Sequence, residues 1–253
     1  MTTNTIRIER IDNIAVLRID RPPANAIDLA LAQEFETALS TIGGNAEVGA
    51  LIITGAGNCF SAGLDLKVVP TYDRDQQQAM IMQVNRVFGT LYGLGLPTIV
   101  AVNGHVIAGG LVLALACDYR IGAEGDYKIG LAEVRVGVPF PAAAITVVRS
   151  ELLKPVARMM VLTGRNSTPR EALAQGIFDE LQPADQLLPR AMEVARELAA
   201  LPRIGYARIK RQLRAAALAR IDDAISNRRE PMLESWLSTE TRSASAEALK
   251  RKD

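Results

Sequence analysis

The sequence predicts an α/β protein built on a parallel sheet. Three observations carry that expectation. Short, continuously apolar runs at 50–54 and 98–102 have the length and composition of strands buried on both faces. Helical periodicities fall between such runs, so strand and helix alternate as parallel pairing requires. From about Glu151 onward the apolar residues recur at helical spacing, which adds a helical C-terminal third. The 253 residues, 49% of them hydrophobic, are enough for one sizeable core.

The elements follow in order. Residues 6–9 and 14–19 read as strands joined at Asp12-Asn13, and Pro22-Pro23 then stops regular structure. Asp28 is a good N-cap. Leu29, Leu31, Phe35 and Leu39 repeat at helical spacing as far as Gly43-Gly44. The strand at 50–54 runs into Gly55-Ala56-Gly57, a loop at 58–65, a polar stretch and a helix from about 76 to 92. After Pro97 and the strand at 98–102, Asn103-Gly104 turns the chain, and Gly109-Gly110 lead into a helix at 111–116. Segments 118–121 and 127–129 read as short strands. Helices are expected at 152–163, 169–175, 187–200, 204–218 and 221–237, the last two able to continue each other, with a loosely ordered end at 238–253.

Composition excludes several functions. A net charge of +1 leaves no basic footprint for nucleic acid. Cys59 and Cys117 are too few and too scattered for a disulfide framework, and one histidine with no Cys/His cluster argues against a metal site. The first twelve residues are polar and acidic, unlike a signal peptide, and the apolar stretch 106–117 is too short to span a bilayer. A soluble, cytoplasmic protein without nucleic-acid or membrane partners is expected. Gly55-Ala56-Gly57 lacks the third glycine of a dinucleotide fingerprint, because Phe60 stands there. No Gly-Lys-Ser/Thr phosphate loop or Gly-x-Ser-x-Gly elbow is present.

Two segments of small residues remain: Phe60-Ser61-Ala62-Gly63-Leu64-Asp65-Leu66 and Asn103-Gly104-His105-Val106-Ile107-Ala108-Gly109-Gly110. Each follows an apolar run and leaves backbone N–H groups thinly shielded by side chains. Two such groups aimed at one point would cradle an oxyanion. The plainer reading of either segment alone is a tight turn that needs glycine.

Taken together, these segments resemble the crotonase superfamily, the enoyl-CoA hydratase/isomerase family. The resemblance extends over nearly the whole chain. It takes in Arg21-Pro22-Pro23-Ala24-Asn25-Ala26, Cys117-Asp118, Gly130-Leu131-Ala132-Glu133 and Leu162-Thr163-Gly164. It implies a spiral of ββα units over 1–195. A helical region at 196–253 would serve oligomerisation and cover the site, giving a homotrimer or a dimer of trimers. It implies an acyl-CoA thioester substrate, with no cofactor beyond the coenzyme A that the substrate carries. Family correspondence places the oxyanion donors on the N–H groups of Ala62 and Gly109. It places substrate contacts on Ala24, Ala26, Ser61, Ala62, Gly63, Leu64, Asp65, Leu66, Gly109 and Gly110.

The family's hydratases carry two glutamates. Here the second is Glu133, while the first position, three residues after the oxyanion glycine, is Val112. Valine neither holds a water nor exchanges a proton. One acid/base still suffices to move a double bond, so the pattern resembles the Δ3-Δ2-enoyl-CoA isomerase branch. A hydratase or a non-catalytic acyl-CoA-binding relative is the rival reading. Val112, Leu131 and Phe140 are expected to help make an apolar pocket around Glu133, and part of 68–82 its wall. An ion pair of Glu133 with Arg135 is the structural alternative. His105 is expected to be structural, Asp118 to tie up donors at a strand start, and Asp65 to shape the first turn. The cations Arg203, Arg208, Lys210, Arg211 and Arg214 are either a solvated face or a phosphate contact.

Overall fold

The computed structural model describes residues 5–227, 230 and 233–250. Strands β1 (Ile6–Ile11) and β2 (Ile14–Ile19) form an antiparallel hairpin, and α1 (Leu29–Gly44) follows. Asp28 caps α1 by accepting from Leu31 N. A repeating unit then sets the architecture. β3 (Ala50–Gly55), β4 (Cys59–Ser61) and α2 (Arg74–Tyr92) make the first unit. β5 (Thr98–Val102), β6 (His105–Ile107) and α3 (Gly109–Leu115) make the second. β7 (Tyr119–Ala123), β8 (Ile129–Gly130) and α4 (Ala142–Glu151) make the third.

In each unit the first strand joins one sheet and the second joins another. Among the described residues the large sheet runs β1-β2-β3-β5-β7-β9, parallel from β2 onward, and the small one runs β4-β6-β8, also parallel. β3 and β5 are buried at every residue, which is why they read as unbroken apolar runs.

The rest is helical with one exception. α5 (Lys154–Thr163) and α6 (Pro169–Ala174) precede β9 (Glu180–Gln182), which closes the large sheet beside β7. α7 (Leu187–Ala199) packs across β2, β3, β5, β7 and β9. α8 (Arg203–Leu213) and α9 (Ala215–Ser226) follow, and α9 rests on α2 and α4. α10 (Leu233–Leu237) packs on α2, and α11 (Thr239–Lys250) on α10.

Several expectations are corrected here. The helix expected at 152–163 is α5, which starts at Lys154; α4 before it was not expected, because Pro141 starts it without a side-chain cap. The helices expected at 204–218 and 221–237 break instead at Arg214 and after Ser226. The loosely ordered end at 238–253 is helical through Lys250, and residues 251–253 lie outside the described residues. The boundary drawn at 195/196 falls inside α7, so the architecture changes only after Ala199. Among the described residues no helix is long and apolar enough to cross a membrane.

Candidate active site

The two glycine-rich turns meet. Gly63 has φ +76, and a Cβ built on it would lie 2.7 Å from Gly109 N and 2.8 Å from the Ala108 Cβ. Ala108, just before α3, itself holds φ +54, a conformation that favours glycine. Its carbonyl takes the N–H groups of Leu111 and Val112, while its N–H donates to Gly130 O. The strained residue thereby ties the second and third units together and leaves the Gly109 N–H without a partner among the described residues.

The first turn is held from below. Asn25 is fully buried at φ +48, and its Nδ2 donates to the carbonyls of Ala56 and Cys59. Ser61 is also fully buried. Its hydroxyl donates to Asn25 O and accepts from Gly63 N, so it shapes the turn instead of facing a ligand. Asp65 pairs with Arg21 at 2.8 Å and accepts from Lys67 N, fixing the far side as expected. Arg21 also reaches Ala26 O. Gly110 lies so close to Ser61 O that no side chain fits.

Ala62 is corrected as an oxyanion donor. Its N–H already donates to Ala24 O at 2.9 Å. Two residues on, Leu64 sits in an isolated bridge with Ile27, whose flanking bonds use Gly63 O and Asp65 N and leave the Leu64 N–H without a partner among the described residues. A Cβ on Gly109 would lie 4.0 Å from that nitrogen. The two open donors are therefore on Leu64 and Gly109, either side of Gly63. The left-handed glycine between them was the available signal in the sequence.

Both donors border a cavity of about 70 Å³, which Leu64, Gly109, Phe88, Val136, Glu133 and Trp236 help to line. Glu133 opens the 3₁₀ turn Glu133–Arg135 and is 7% exposed. Its Oε2 is buried with no hydrogen-bond partner, and burial raises its pKa to about 8, opposed only in part by a backbone hydrogen bond. It makes no ion pair with Arg135 among the described residues, whose side chain packs instead on Gly164. Glu133 is the only carboxylate on the described cavity wall.

The wall differs from the expected one. Val112 and Leu131 are fully buried in the core, and neither they nor Phe140 border the cavity. α2 contributes Val84 and Phe88, beyond the stretch 68–82. The cover comes from the far end of the chain. Trp236 on α10 lies over the cavity, and the α11 hydroxyls of Thr241 and Ser245 donate to Gly137 O at 2.8 Å and Val136 O at 3.3 Å. Those residues, one turn apart on one helix face, grip the segment that carries Glu133.

A second cleft of about 710 Å³ adjoins the cavity and shares Ala62, Ile107, Ala132 and Val136 with it. Ala24, Lys128, Arg135 and Glu247 also border it. His105, at its edge, accepts from Lys128 N through Nδ1 and stacks edge-on to Tyr127, a structural role. The late cations lie elsewhere. Lys210 and Arg214 are buried and pair with Asp118 at 2.8 and 2.9 Å, while Arg203 donates to carbonyls at Asn45, Ala46 and Val48. Lys210 and Arg214 hold α8 and α9 to the core through Asp118, while Arg203, Arg208 and Arg211 are exposed. Asp118 also accepts from Thr98 N, the expected strand-start role.

The chain matches the family model described as enoyl-CoA hydratase/isomerase over residues 9–253. It is 33% identical over 197 residues to a probable enoyl-CoA hydratase of Mycobacterium tuberculosis, covering 77% of this chain and 75% of that one. A carnitinyl-CoA dehydratase of Salmonella arizonae is 32% identical over 212 residues, 82% and 79% of the two chains. Human mitochondrial Δ3-Δ2-enoyl-CoA isomerase superposes with a TM-score of 0.90 at 25% identity, covering 98% of each chain.

Proposed function

The chain belongs to the enoyl-CoA hydratase/isomerase family and has its crotonase fold, and from that premise we propose that it converts 3-enoyl-CoA to trans-2-enoyl-CoA. One observation carries the choice of reaction: Glu133 Oε2 stands buried and unpartnered in an apolar cavity whose described wall offers no second carboxylate. Adding water to a double bond requires one group to activate the water and another to manage the proton. A double-bond shift needs a single shuttle.

The steps balance without a co-reactant. The Glu133 carboxylate removes a proton from C2 of the thioester. The electron pair moves onto the carbonyl oxygen, giving an enolate held by the N–H groups of Leu64 and Gly109. The protonated Glu133 returns the proton at C4, the enolate collapses, and the double bond lies between C2 and C3. Burial serves this cycle, because a base near pKa 8 is a better match for a weakly acidic C–H than an ordinary carboxylate. Removing one oxyanion donor costs about 10²–10³ in rate in the best-studied case.

The coenzyme A moiety fits the adjoining cleft, whose walls continue those of the cavity and whose cations Lys128 and Arg135 suit phosphates. Ala24 and Ala62 border that cleft; Leu64, Leu66 and Gly109 border the acyl end. Assembly as a trimer, or a dimer of trimers, accounts for the exposed Ile204, Ile209 and Leu213 on α8.

The test compares isomerisation of 3-hexenoyl-CoA with hydration of 2-hexenoyl-CoA. Isomerisation is expected to be the faster, and Glu133→Gln is expected to abolish it. Faster hydration, or isomerisation that survives in Glu133→Gln, overturns the reading. Coenzyme A binding with no turnover of either substrate would favour a binding protein.

A further inference from the structure

The cavity holds a second buried polar group that the proton shuttle does not use. Trp236 is 4% exposed, lines the cavity beside Glu133, and its indole Nε1–H has no hydrogen-bond partner among the described residues. Buried donors are nearly always satisfied, so an unsatisfied one on a residue that lines a ligand space is a candidate for completion by a ligand. Gln77 Nε2 and Asn166 Oδ1 are also buried without partners, but neither residue borders this cavity.

We infer that Trp236 Nε1–H recognises an oxygen atom within the acyl chain, so that the preferred substrates are short enoyl thioesters carrying an ether or keto oxygen beyond the double bond. This rests on the isomerase reading for the place of the double bond alone; the recognition itself is a matter of binding.

Three features of the site give the chemistry of that oxygen. The thioester end is committed to the Leu64–Gly109 turns and the reacting carbons to Glu133, which leaves the cover, where α10 meets α2, for the distal chain. The rest of that region is apolar: Val84, Phe88, Pro141 and Ala144. Among the side chains of the wall, the Trp236 N–H is the one spare donor and the Glu133 oxygen, which the reaction uses, the one spare acceptor. A hydroxyl would bring a hydrogen for which the wall's side chains offer no acceptor but Glu133. A carboxylate would be a second anion beside Glu133 with no cation on the wall. An ether or ketone oxygen only accepts, and so matches a lone N–H. The cavity is also small: on a scale where one water occupies about 10–15 Å³, its roughly 70 Å³ admits few atoms. A site built to hydrogen-bond a substrate group discriminates against the analogue that lacks it.

The test uses saturated thioesters, which bind but cannot be isomerised. Heptanoyl-CoA is compared by titration calorimetry with its ether isosteres 4-ethoxybutanoyl-CoA and 5-methoxypentanoyl-CoA and with 6-oxoheptanoyl-CoA. One hydrogen bond corresponds to an affinity ratio of about 2–12. The wild type is expected to bind at least one oxygenated thioester more tightly than heptanoyl-CoA by that ratio. Trp236→Phe, which keeps an apolar ring but removes the N–H, is expected to bind all four alike while retaining the wild-type melting temperature. No preference in the wild type, or an undiminished preference in Trp236→Phe, overturns the inference. If Trp236→Phe misfolds, Trp236 alkylated at the indole nitrogen by incorporation of 1-methyltryptophan gives the same comparison. Turnover of 3-heptenoyl-CoA is measured beside these titrations. Its absence with the binding preference intact would remove the isomerase reading and leave the recognition standing.

Discussion

A Cβ on Gly63 would stand 2.7 Å from the backbone nitrogen of Gly109. The two turns therefore meet backbone to backbone, and any side chain at 63 would put carbon on a donor that the proposed enolate would use.

Gly63→Ala is accordingly expected to lower kcat by about 10²-fold or more. It also places alanine at φ +76, which costs about 1–2 kcal/mol. Gly109→Ala behaves differently. Its methyl group would meet Gly63 Cα at 3.6 Å and Phe88 at 3.8 Å, ordinary contacts, so the melting temperature should hold while KM rises. Kinetics and thermal unfolding of both variants check the contrast.

Leu64 and Ala62 are separated by a backbone substitution that removes only the N–H. An ester bond in place of the Leu64 amide is expected to cost about 10²–10³ in kcat with little change in stability. The same change at Ala62 breaks its bond to Ala24 O and should lower stability by about 1 kcal/mol. Equal losses of kcat at the two positions would contradict the assignment of the donor to Leu64.

The buried carboxyl makes stability depend on pH in a defined window. Below about 4.5 Glu133 is protonated in both folded and unfolded chains. Between there and about 8 only the folded chain keeps the proton, so stability falls by about 1.4 kcal/mol per unit as pH rises. Above about 8 the loss is complete and constant. The melting-temperature advantage of Glu133→Gln over the wild type is expected to be small near pH 4, to grow to pH 8 and then level. Wild-type isomerisation should rise toward pH 8 as the base form fills.

Thr241 and Ser245 hold the segment that follows Glu133 through the carbonyls of Gly137 and Val136. Thr241→Val with Ser245→Ala is expected to reduce kcat several-fold while KM for the thioester changes little. The pH midpoint of kcat should also drop toward ordinary carboxylate values as water reaches the looser turn. Thr241→Ser, which keeps the hydroxyl, should restore both. A change in melting temperature alone would assign the pair a structural role.

Much of the fold was legible because its signals are local. Asp28 announces α1, and the unbroken apolar runs of β3 and β5 announce a sheet covered on both faces. β4, β6 and β8 span only two or three residues each, too few for any period to show. α4 begins at Pro141 with no capping side chain and three alanines, so nothing marked its start. At the site, Glu133 and Gly109 stood in readable motifs. The choice between the N–H of Ala62 and that of Leu64 did not, because it depends on the hand of Gly63 and on a carbonyl 38 positions earlier in the chain, that of Ala24. Trp236, Thr241 and Ser245 reach the site from more than 100 residues beyond Glu133, a proximity that no periodicity encodes.

The grip of α11 on the Glu133 turn also has a consequence in time. During synthesis, both glycine turns and the carboxylate leave the ribosome long before Thr241 does. A chain interrupted anywhere between Gly137 and Ser238 carries Leu64, Gly109 and Glu133 yet lacks the Thr241 and Ser245 hydroxyls that bond the Gly137 and Val136 carbonyls. On the proposed function, full activity is therefore expected only once α11 has been made and has closed on the Glu133 turn.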